Sequence, residues 1–138
     1  MKEAFIALGS NIGDGGKNLD EAVRALSLVP GIEVRKVSSY IITEPWGYAE
    51  QPDFTNAVVS VLTTLSPEAL LGVCLGIEAG MGRVRKIKNG PRIIDLDLLT
   101  YEGETRNTAE LVLPHPRMRE RSFVMIPYNE ITEKSETE

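Results

Sequence analysis

Two aspartates separated by one residue, Asp95 and Asp97, are the residues of this sequence best suited to chemistry. In a β-strand, residues two apart point to the same face, so a strand here would place the two carboxylates side by side. Like charges at that spacing repel each other unless a proton or a cation lies between them. Mg²⁺ is typically bound by one or two carboxylates together with phosphate oxygens. The pair therefore predicts a divalent-cation site, and the alternative is a pair of solvated aspartates on an exposed sheet face.

The sequence around this pair is strongly basic. Arg92 lies three residues before Asp95, and the range 83–92 holds five basic residues and no acidic one. With a second basic cluster at 115–121, eight of the 15 lysines and arginines fall in 17 positions of a chain whose net charge is −5. Metal-binding carboxylates beside basic residues are the groups that phosphoryl transfer requires. A local basic cluster on an acidic chain favours a small polyanionic ligand over nucleic acid, and the alternative is a solvated basic loop.

Three further features are weaker signals. The range 9–17 is rich in glycine, but it lacks the glycine at 11 that a P-loop requires and the glycine at 18 that a dinucleotide-binding fingerprint requires. His115, the only histidine, lies two residues before Arg117 and could contact a phosphate, although a lone histidine is more often structural. Trp46, Phe54 and Phe123 could enclose a flat ring or could be core residues.

Length and composition indicate one domain. The chain has 138 residues, of which 42% are hydrophobic and 25% are charged, as in typical folded proteins. Its one cysteine, Cys74, cannot form an internal disulfide and falls on the apolar side of a predicted helix, so its expected role is packing. No stretch is apolar enough for a membrane span, and no signal peptide is evident. We therefore expect a single cytoplasmic domain over residues 1–138, with a frayed tail over about 132–138.

Hydrophobic periodicity and turn residues predict the elements that position these groups. Alternating and β-branched residues predict strands, and apolar residues three and four apart predict helices. Strands are predicted at 3–8, 32–43, 54–65 and 92–101, with a short apolar run at 111–113. Helices are predicted after the capping residues Asn18 and Ser66 and near residues 118–126, and residues 11–17 are predicted to form a loop.

The predicted order of strand, helix, strand, strand, helix, strand is that of the ferredoxin-like βαββαβ fold. It predicts an α+β domain in which two helices cover one face of a mostly antiparallel sheet. The other face would be open and would carry the site. In the last predicted strand, Ile93 shares the open face with the two aspartates, whereas Ile94 and Leu96 pack on the helices.

Six separated blocks of the sequence are distinctive when they are taken together. They are IALGSN at 6–11, SSY and TEP within 38–45, QPDFTNAV at 51–58, GRVRK at 82–86, GPRIIDLDLL at 90–99 and PHPRM at 114–118. In this order they resemble the 6-hydroxymethyl-7,8-dihydropterin pyrophosphokinase family of folate biosynthesis, over residues 4–130. The block at 90–99 is highly specific to that family.

The resemblance implies a fold, a reaction and cofactors. The family has a ferredoxin-like fold, in agreement with the element order. It transfers the β,γ-pyrophosphoryl group of ATP to the hydroxymethyl group of the pterin and releases AMP. Two Mg²⁺ ions held by Asp95 and Asp97 would bridge the ATP phosphates, and the loops at 11–17, 44–53 and 83–91 would close over the substrates. The implied partners are these two small molecules, with neither nucleic acid nor membrane, and we expect a monomer.

The resemblance also implies roles for individual residues. Arg83 and Arg92 would stabilise the transferring group, and with Asp95 and Asp97 they form the expected catalytic set. The expected ATP contacts are Leu71, Glu78, Arg85, Lys88, Leu98, Val112, His115 and Arg121. The expected pterin contacts are Thr43, Pro45, Trp46, Gly47, Phe54, Asn56 and Phe123, with the ring stacked between the two phenylalanines.

Three positions depart from the family's pattern. Asn89 replaces a frequent tryptophan, Leu75 replaces a glutamine that some members carry, and Phe54 replaces a common tyrosine. The first affects the packing of a loop in its closed state, the second affects one nucleotide contact, and the third removes one hydroxyl group. Two alternative functions are a non-catalytic nucleotide- or pterin-binding sensor of the same fold and a metal-dependent nuclease. The intact acidic pair argues against a sensor, and the net charge of −5 argues against a nuclease.

Overall fold

A computed structural model of the chain describes residues 1–45, 50–82 and 91–136, with side chains as far as residue 132. A single-turn 3₁₀ helix, Met118–Glu120, precedes the last α-helix. The other elements, in chain order, are β1 (Lys2–Ser10), α1 (Gly15–Ser27), β2 (Ile32–Val37), β3 (Ile41–Thr43), β4 (Phe54–Thr63), α2 (Pro67–Gly80), β5 (Asp95–Tyr101), β6 (Arg106–Asn107), β7 (Val112–Leu113) and α3 (Ser122–Glu136).

Over the described residues the main sheet has five strands, and every pairing in it is antiparallel. The strand order is β2-β4-β1-β5, and the short strand β3 also pairs with β4. Strands β6 and β7 form a separate two-stranded ribbon. The prediction of an α+β domain with a mostly antiparallel sheet is confirmed, and the ferredoxin-like assignment within that class stays a prediction.

Helices pack on both faces of the sheet. One face forms the larger core with α1 and α2, where Leu19, Leu26 and Leu70 are fully buried against the strands. On the other face α3 packs Val124 and Ile131 against the sheet. The face predicted to be open is therefore partly covered, because apolar residues seven apart on α3 pack against the sheet there. The end of the face that carries the two aspartates stays accessible.

Helix α1 begins earlier than its sequence suggests. Asp14, rather than Asn18, is the N-cap, and its carboxylate accepts a hydrogen bond from the Lys17 N–H at 3.1 Å. Asn18 instead donates to the Ser10 hydroxyl and to the Ile12 carbonyl. Part of the loop predicted at 11–17 is therefore helical. The predicted cap at Ser66 is confirmed, since its hydroxyl accepts from the Ala69 N–H at 3.1 Å.

Three other predicted elements have the largest differences in their boundaries. The strand predicted at 32–43 is two strands, β2 and β3, separated by residues 38–40. Strand β5 begins at Asp95 instead of Arg92, and Ile93 packs against the larger core instead of sharing a face with the aspartates. Helix α3 begins at Ser122 and continues to Glu136, beyond the range predicted from the sequence. In the described residues, no helix has the length and apolar character needed to cross a membrane.

Candidate functional site

Two pockets open beside the aspartates of β5. The first, which we call the aromatic pocket, is lined by Phe54 of β4 and Phe123 of α3. The second, the aliphatic groove, runs along α2 and β5 and includes Leu71 and Leu98 in its lining. The carboxylates of β5 line both pockets. The structure therefore brings together two compartments of different chemistry, with an acidic pair at their junction.

The acidic pair has the arrangement that the sequence predicted. Asp95 and Asp97 lie on β5 and are both partly exposed, whereas the intervening Leu96 is buried in the core. Across the sheet they face Gly9 and Ala7 of β1, the smallest side chains available to a strand. The small neighbours leave space above the carboxylates that a ligand can occupy.

The donor set fits a hard divalent cation. The described residues contain no group of three or more His, Cys, Asp or Glu side chains that could enclose a metal ion by themselves. Two carboxylates leave most positions around an ion to water and to a ligand, and this is how Mg²⁺ is usually held beside phosphates. The arrangement therefore suits a metal that is completed by a phosphorylated substrate.

Arg92 is held beside the acidic pair by three kinds of contact. Its guanidinium forms a salt bridge with Asp95 at 2.8 Å, and both side chains are 20% exposed. The same guanidinium lies over the ring of Phe54, 5.4 Å from the ring centroid. Its backbone N–H donates to the Asn11 side chain at 2.9 Å, and its carbonyl accepts from the Asn11 N–H at 3.1 Å. A cation is thus fixed at the entrance to the aromatic pocket.

Asn11 connects several segments around the site, a role that its sequence motif does not indicate. It is 4% exposed, and besides its two bonds to Arg92 its amide donates to the Gln51 side chain at 2.8 Å and to the Pro52 carbonyl at 3.0 Å. One side chain therefore ties together three chain segments that border the site. Its residue type alone carries no signal of this, because the partners lie 40 and 81 positions away.

Gly9 is a second residue that sequence reasoning missed. It lies between Asn56 of β4 and Asp95 of β5 in the sheet register, and it lines the aromatic pocket. A Cβ atom at this position would lie 3.2 Å from Asn56 Oδ1 and 3.8 Å from Phe54 Cδ1. The absence of a side chain keeps the floor of the pocket open.

The residues predicted to contact a pterin fall partly in one place. Thr43, Phe54, Asn56 and Phe123 all line the aromatic pocket. The amide of Asn56, which is 5% exposed, donates to the Thr43 hydroxyl at 2.6 Å and is thereby oriented. Pro45 is described but does not appear in the lining of this pocket. Two further predicted contacts lie outside the described residues, Trp46 and Gly47.

The residues predicted to contact the nucleotide divide into three groups. The aliphatic groove is lined by five of them, Leu71, Glu78, Leu98, Val112 and His115. Arg121 instead lines the aromatic pocket, with its guanidinium 5.7 Å from the centroid of Phe123. The remaining basic residues of the prediction lie outside the described residues, Arg83, Arg85 and Lys88. The departing residue Leu75 also lines the groove, whereas Asn89 lies outside the described residues.

Glu78 is buried and contacts the strand that carries the aspartates. It is 6% exposed, and its carboxylate accepts a hydrogen bond from the Leu96 N–H at 2.7 Å. That N–H belongs to the residue between the two aspartates. Burial, together with the charges of Glu78 and Asp97, raises the pKa of the nearby Cys74 thiol to about 12. Cys74 is therefore a protonated packing residue, as predicted.

His115 is a neutral imidazole at pH 7. Burial lowers its pKa below 6.5, and the positive charges of Arg121 and Arg117 lower it further. Its Nδ1 accepts from the Arg117 N–H at 3.3 Å, so the proton lies on Nε2. Its own backbone N–H donates to the Leu99 carbonyl at 2.8 Å, which anchors it to the end of β5. The side chain can therefore donate a hydrogen bond to an anion without carrying a charge.

We expect the stability of the protein to fall on acidification through this histidine. Because its folded pKa is lowered, the unfolded chain binds the proton first, and stability is lost as the pH falls from about 6.5 through the folded pKa. His115 is the only histidine, so its NMR titration is unambiguous. The unfolding free energy of His115→Gln should decline less between pH 7 and pH 5 than that of the wild type. A titration midpoint at or above 6.5 would contradict this prediction.

Comparison with known proteins identifies relatives. The family model for 7,8-dihydro-6-hydroxymethylpterin-pyrophosphokinase matches residues 5–133. A protein of Methylorubrum extorquens named 2-amino-4-hydroxy-6-hydroxymethyldihydropteridine pyrophosphokinase is 50% identical over 131 residues, covering 95% of this chain and 83% of the relative. Proteins with the same name in Bacillus subtilis and Synechocystis are 45% and 44% identical, over 98% and 93% of this chain and 81% and 65% of the relatives.

Proposed function

The chain belongs to the 7,8-dihydro-6-hydroxymethylpterin-pyrophosphokinase family, and we infer its reaction from that membership. It transfers the pyrophosphoryl group of ATP to the hydroxymethyl group of 6-hydroxymethyl-7,8-dihydropterin, a reaction of folate biosynthesis. The products are the pterin diphosphate and AMP. We further propose that it acts as a cytoplasmic monomer and has no nucleic-acid partner, since its basic residues are clustered on an acidic chain.

The pair of pockets that meet at β5 supports separate binding sites for the two substrates. We propose that the aromatic pocket holds the pterin and that the aliphatic groove holds the adenosine. The triphosphate would then pass over Asp95 and Asp97, which line both compartments. This placement brings the hydroxymethyl oxygen to the phosphates, and positioning of this kind is a large part of catalysis in phosphoryl transfer.

Asp95 and Asp97 are the residues that would hold Mg²⁺, with two ions as the proposed number. Bound there, the metal neutralises charge on the phosphate oxygens. Arg92 and Arg121, which line the same pocket, add fixed positive charge where the transferring group would lie. His115 would donate its Nε2–H to a phosphate from the side of the groove. No strong base is needed, because the transition state of phosphoryl transfer is largely dissociative.

The aromatic pocket suits a pterin. The ring is flat with a polar edge, so the faces of Phe54 and Phe123 can stack on it while an amide reads the edge. Thr43 accepts one amide proton of Asn56, which fixes the rotamer in which the rest of the amide meets a ligand. The tyrosine-to-phenylalanine departure at position 54 removes a hydroxyl and keeps the stacking face.

Product analysis tests this function. The protein would be mixed with ATP, Mg²⁺ and 6-hydroxymethyl-7,8-dihydropterin, and adenine nucleotides would be quantified with and without the pterin. AMP that depends on the pterin, without ADP, is the expected result. ADP would indicate ordinary phosphoryl transfer or ATP hydrolysis and would overturn the proposal. Binding of ATP and pterin without turnover would instead support a sensor.

A further inference from the structure

We propose that Glu130 of α3 is a positioning residue for pterin binding, because it holds the segment from which strand β3 begins. This inference rests on the function proposed above. The segment consists of Ser38, Ser39 and Tyr40, which we call the β2–β3 junction. Strand β3 carries Thr43 into the aromatic pocket, so the position of the junction determines where one wall of the pocket lies.

Each residue of the β2–β3 junction is bonded to a different element. Ser38 is 4% exposed and is bonded to Val58 of β4 twice, since its N–H donates to the Val58 carbonyl and its hydroxyl accepts from the Val58 N–H, each at 2.9 Å. The Tyr40 hydroxyl donates to Asp20 of α1 at 2.6 Å. The junction is thus fixed from the sheet and from the helix on one face.

The third bond comes from the opposite face of the sheet. The carboxylate of Glu130 accepts from the Ser39 N–H at 3.1 and 3.0 Å and from the Ser39 hydroxyl at 3.1 Å. Glu130 as a whole is partly buried, whereas Ser39 is exposed. A charged acceptor that binds both a backbone donor and a hydroxyl of one residue forms a stronger contact than a neutral pair would.

The same helix supplies the other wall of the pocket. Phe123 and Glu130 are seven residues apart on α3, which is about two turns and about 10 Å along one helix face. Between them Pro127 is fully buried, and Val124 and Ile131 fix the helix to the sheet. Helix α3 therefore positions Phe123 with its first turn and holds the β2–β3 junction two turns later, and so influences the distance between the ring face and the polar edge of the pocket.

Loss of the Glu130 carboxylate should act selectively. Strand β3 is only three residues long, and Ile41, Ile42 and Thr43 each pair with β4, so the junction that precedes it affects where the strand lies. A shift of Thr43 would change the orientation of Asn56, its hydrogen-bond partner. The aliphatic groove is lined by α2, β5 and the chain near β7, none of which contacts the junction through the bonds described above. We therefore expect weaker pterin binding and unchanged ATP binding.

The test compares Glu130→Ala with Glu130→Gln, with Glu21→Ala as a control for removing an exposed helical glutamate. Steady-state KM values for the pterin and for ATP would be measured separately, and pterin affinity would also be measured directly by its fluorescence. Glu130→Ala is expected to raise the pterin KM and dissociation constant about tenfold with the ATP KM within about twofold. Glu130→Gln, which keeps an acceptor oxygen, should recover most of the loss, and Glu21→Ala should match the wild type.

Equal losses for both substrates, or an unchanged pterin dissociation constant, would overturn the inference and leave Glu130 a purely structural residue. If Glu130→Ala does not fold, Ser39→Ala tests the inference instead. It removes one of the hydrogen bonds to Glu130 from an exposed position, and it should raise the pterin dissociation constant by a smaller factor. Failure of the proposed function looks different, since the wild type would then form no pterin-dependent AMP. The fluorescence titration would still test the Glu130 inference in that case, and a wild type that binds no pterin would overturn both.

Discussion

Replacing Asp97 by alanine is expected to lower kcat by at least about a thousandfold while pterin affinity changes little. The carboxylate lines both pockets and faces Ala7 across the sheet, so its opposite residue in β1 has no side-chain oxygen to replace it. The metal would then neutralise less of the phosphate charge that develops in transfer. The pterin would keep its stacking faces and the amide of Asn56. Rates of AMP formation and pterin titrations check the two halves of the prediction.

The controls separate charge from shape. Asp97→Asn keeps the volume and loses the charge, so it should be nearly as inactive as Asp97→Ala. Glu33→Gln removes a charge from the exposed side of β2 and should leave kcat unchanged. Mg²⁺ titration of the Asp97→Asn variant should require a higher metal concentration for any residual rate. Wild-type turnover in either Asp97 variant would rule out the proposed metal site.

Replacing Arg92 by alanine is expected to lower kcat by about a hundredfold or more, with little effect on the KM for ATP or pterin. The guanidinium is held by Asp95 and by the Phe54 ring, and bonds to Asn11 hold the Arg92 backbone, so the group is oriented before the phosphates arrive. A charge that is pre-oriented contributes mainly where negative charge develops in the transition state. Steady-state kinetics with each substrate varied in turn measures the effects on kcat and on KM separately.

Two further variants test whether the orientation of the guanidinium explains this effect. Arg92→Lys keeps the charge but loses the planar group that lies over Phe54 and bonds Asp95, so it should recover little of the rate. Asn11→Ala leaves Arg92 in the chain but removes the side-chain acceptor of its backbone N–H, and it should lower kcat by a smaller factor. An effect of Arg92→Ala confined to KM would mean that the arginine binds the ground state only.

Local patterns in the sequence were sufficient for the acidic pair. The two-residue period of a strand is a property of the backbone itself, so placing Asp95 and Asp97 on one face and Leu96 in the core needed no knowledge of the rest of the chain. The cap at Ser66 was predictable for the same reason, because the Ser66 hydroxyl and the Ala69 N–H that donates to it lie within one helical turn. Predictions of this kind depend on neighbours in sequence.

The boundaries that were wrong depend on distant partners. Strand β5 begins three residues late because the backbone of Arg92 bonds to Asn11 instead of to β1. The strand predicted at 32–43 is interrupted because residues 38–40 bond to β4, α1 and α3 separately. The last helix, predicted near residues 118–126, continues through Pro127 to Glu136; a proline usually breaks a helix, but the apolar residues around this one bury α3 against the sheet.

The site was predicted less from pattern than from resemblance. Residue spacing alone suggested binding sites for a metal, a phosphate and a flat ring. It left a solvated pair of aspartates and a solvated basic loop as alternatives. The two pockets and their junction at β5 arise from the strand order β2-β4-β1-β5, which no local spacing encodes. The contacts of Asn11 and the open floor at Gly9 are equally non-local.

The empty floor at Gly9 bears on how resistance to inhibitors could arise. A compound that competes with the pterin would use the same ring faces and the same amide as the substrate. Any side chain at position 9 would crowd Asn56 Oδ1, 3.2 Å from the new Cβ, and would lie in contact with the Phe54 ring. Such a substitution would weaken the binding of the inhibitor and the binding of the substrate together. Escape mutations selected by a pterin-like inhibitor should therefore avoid this glycine and appear where substrate and inhibitor differ in shape.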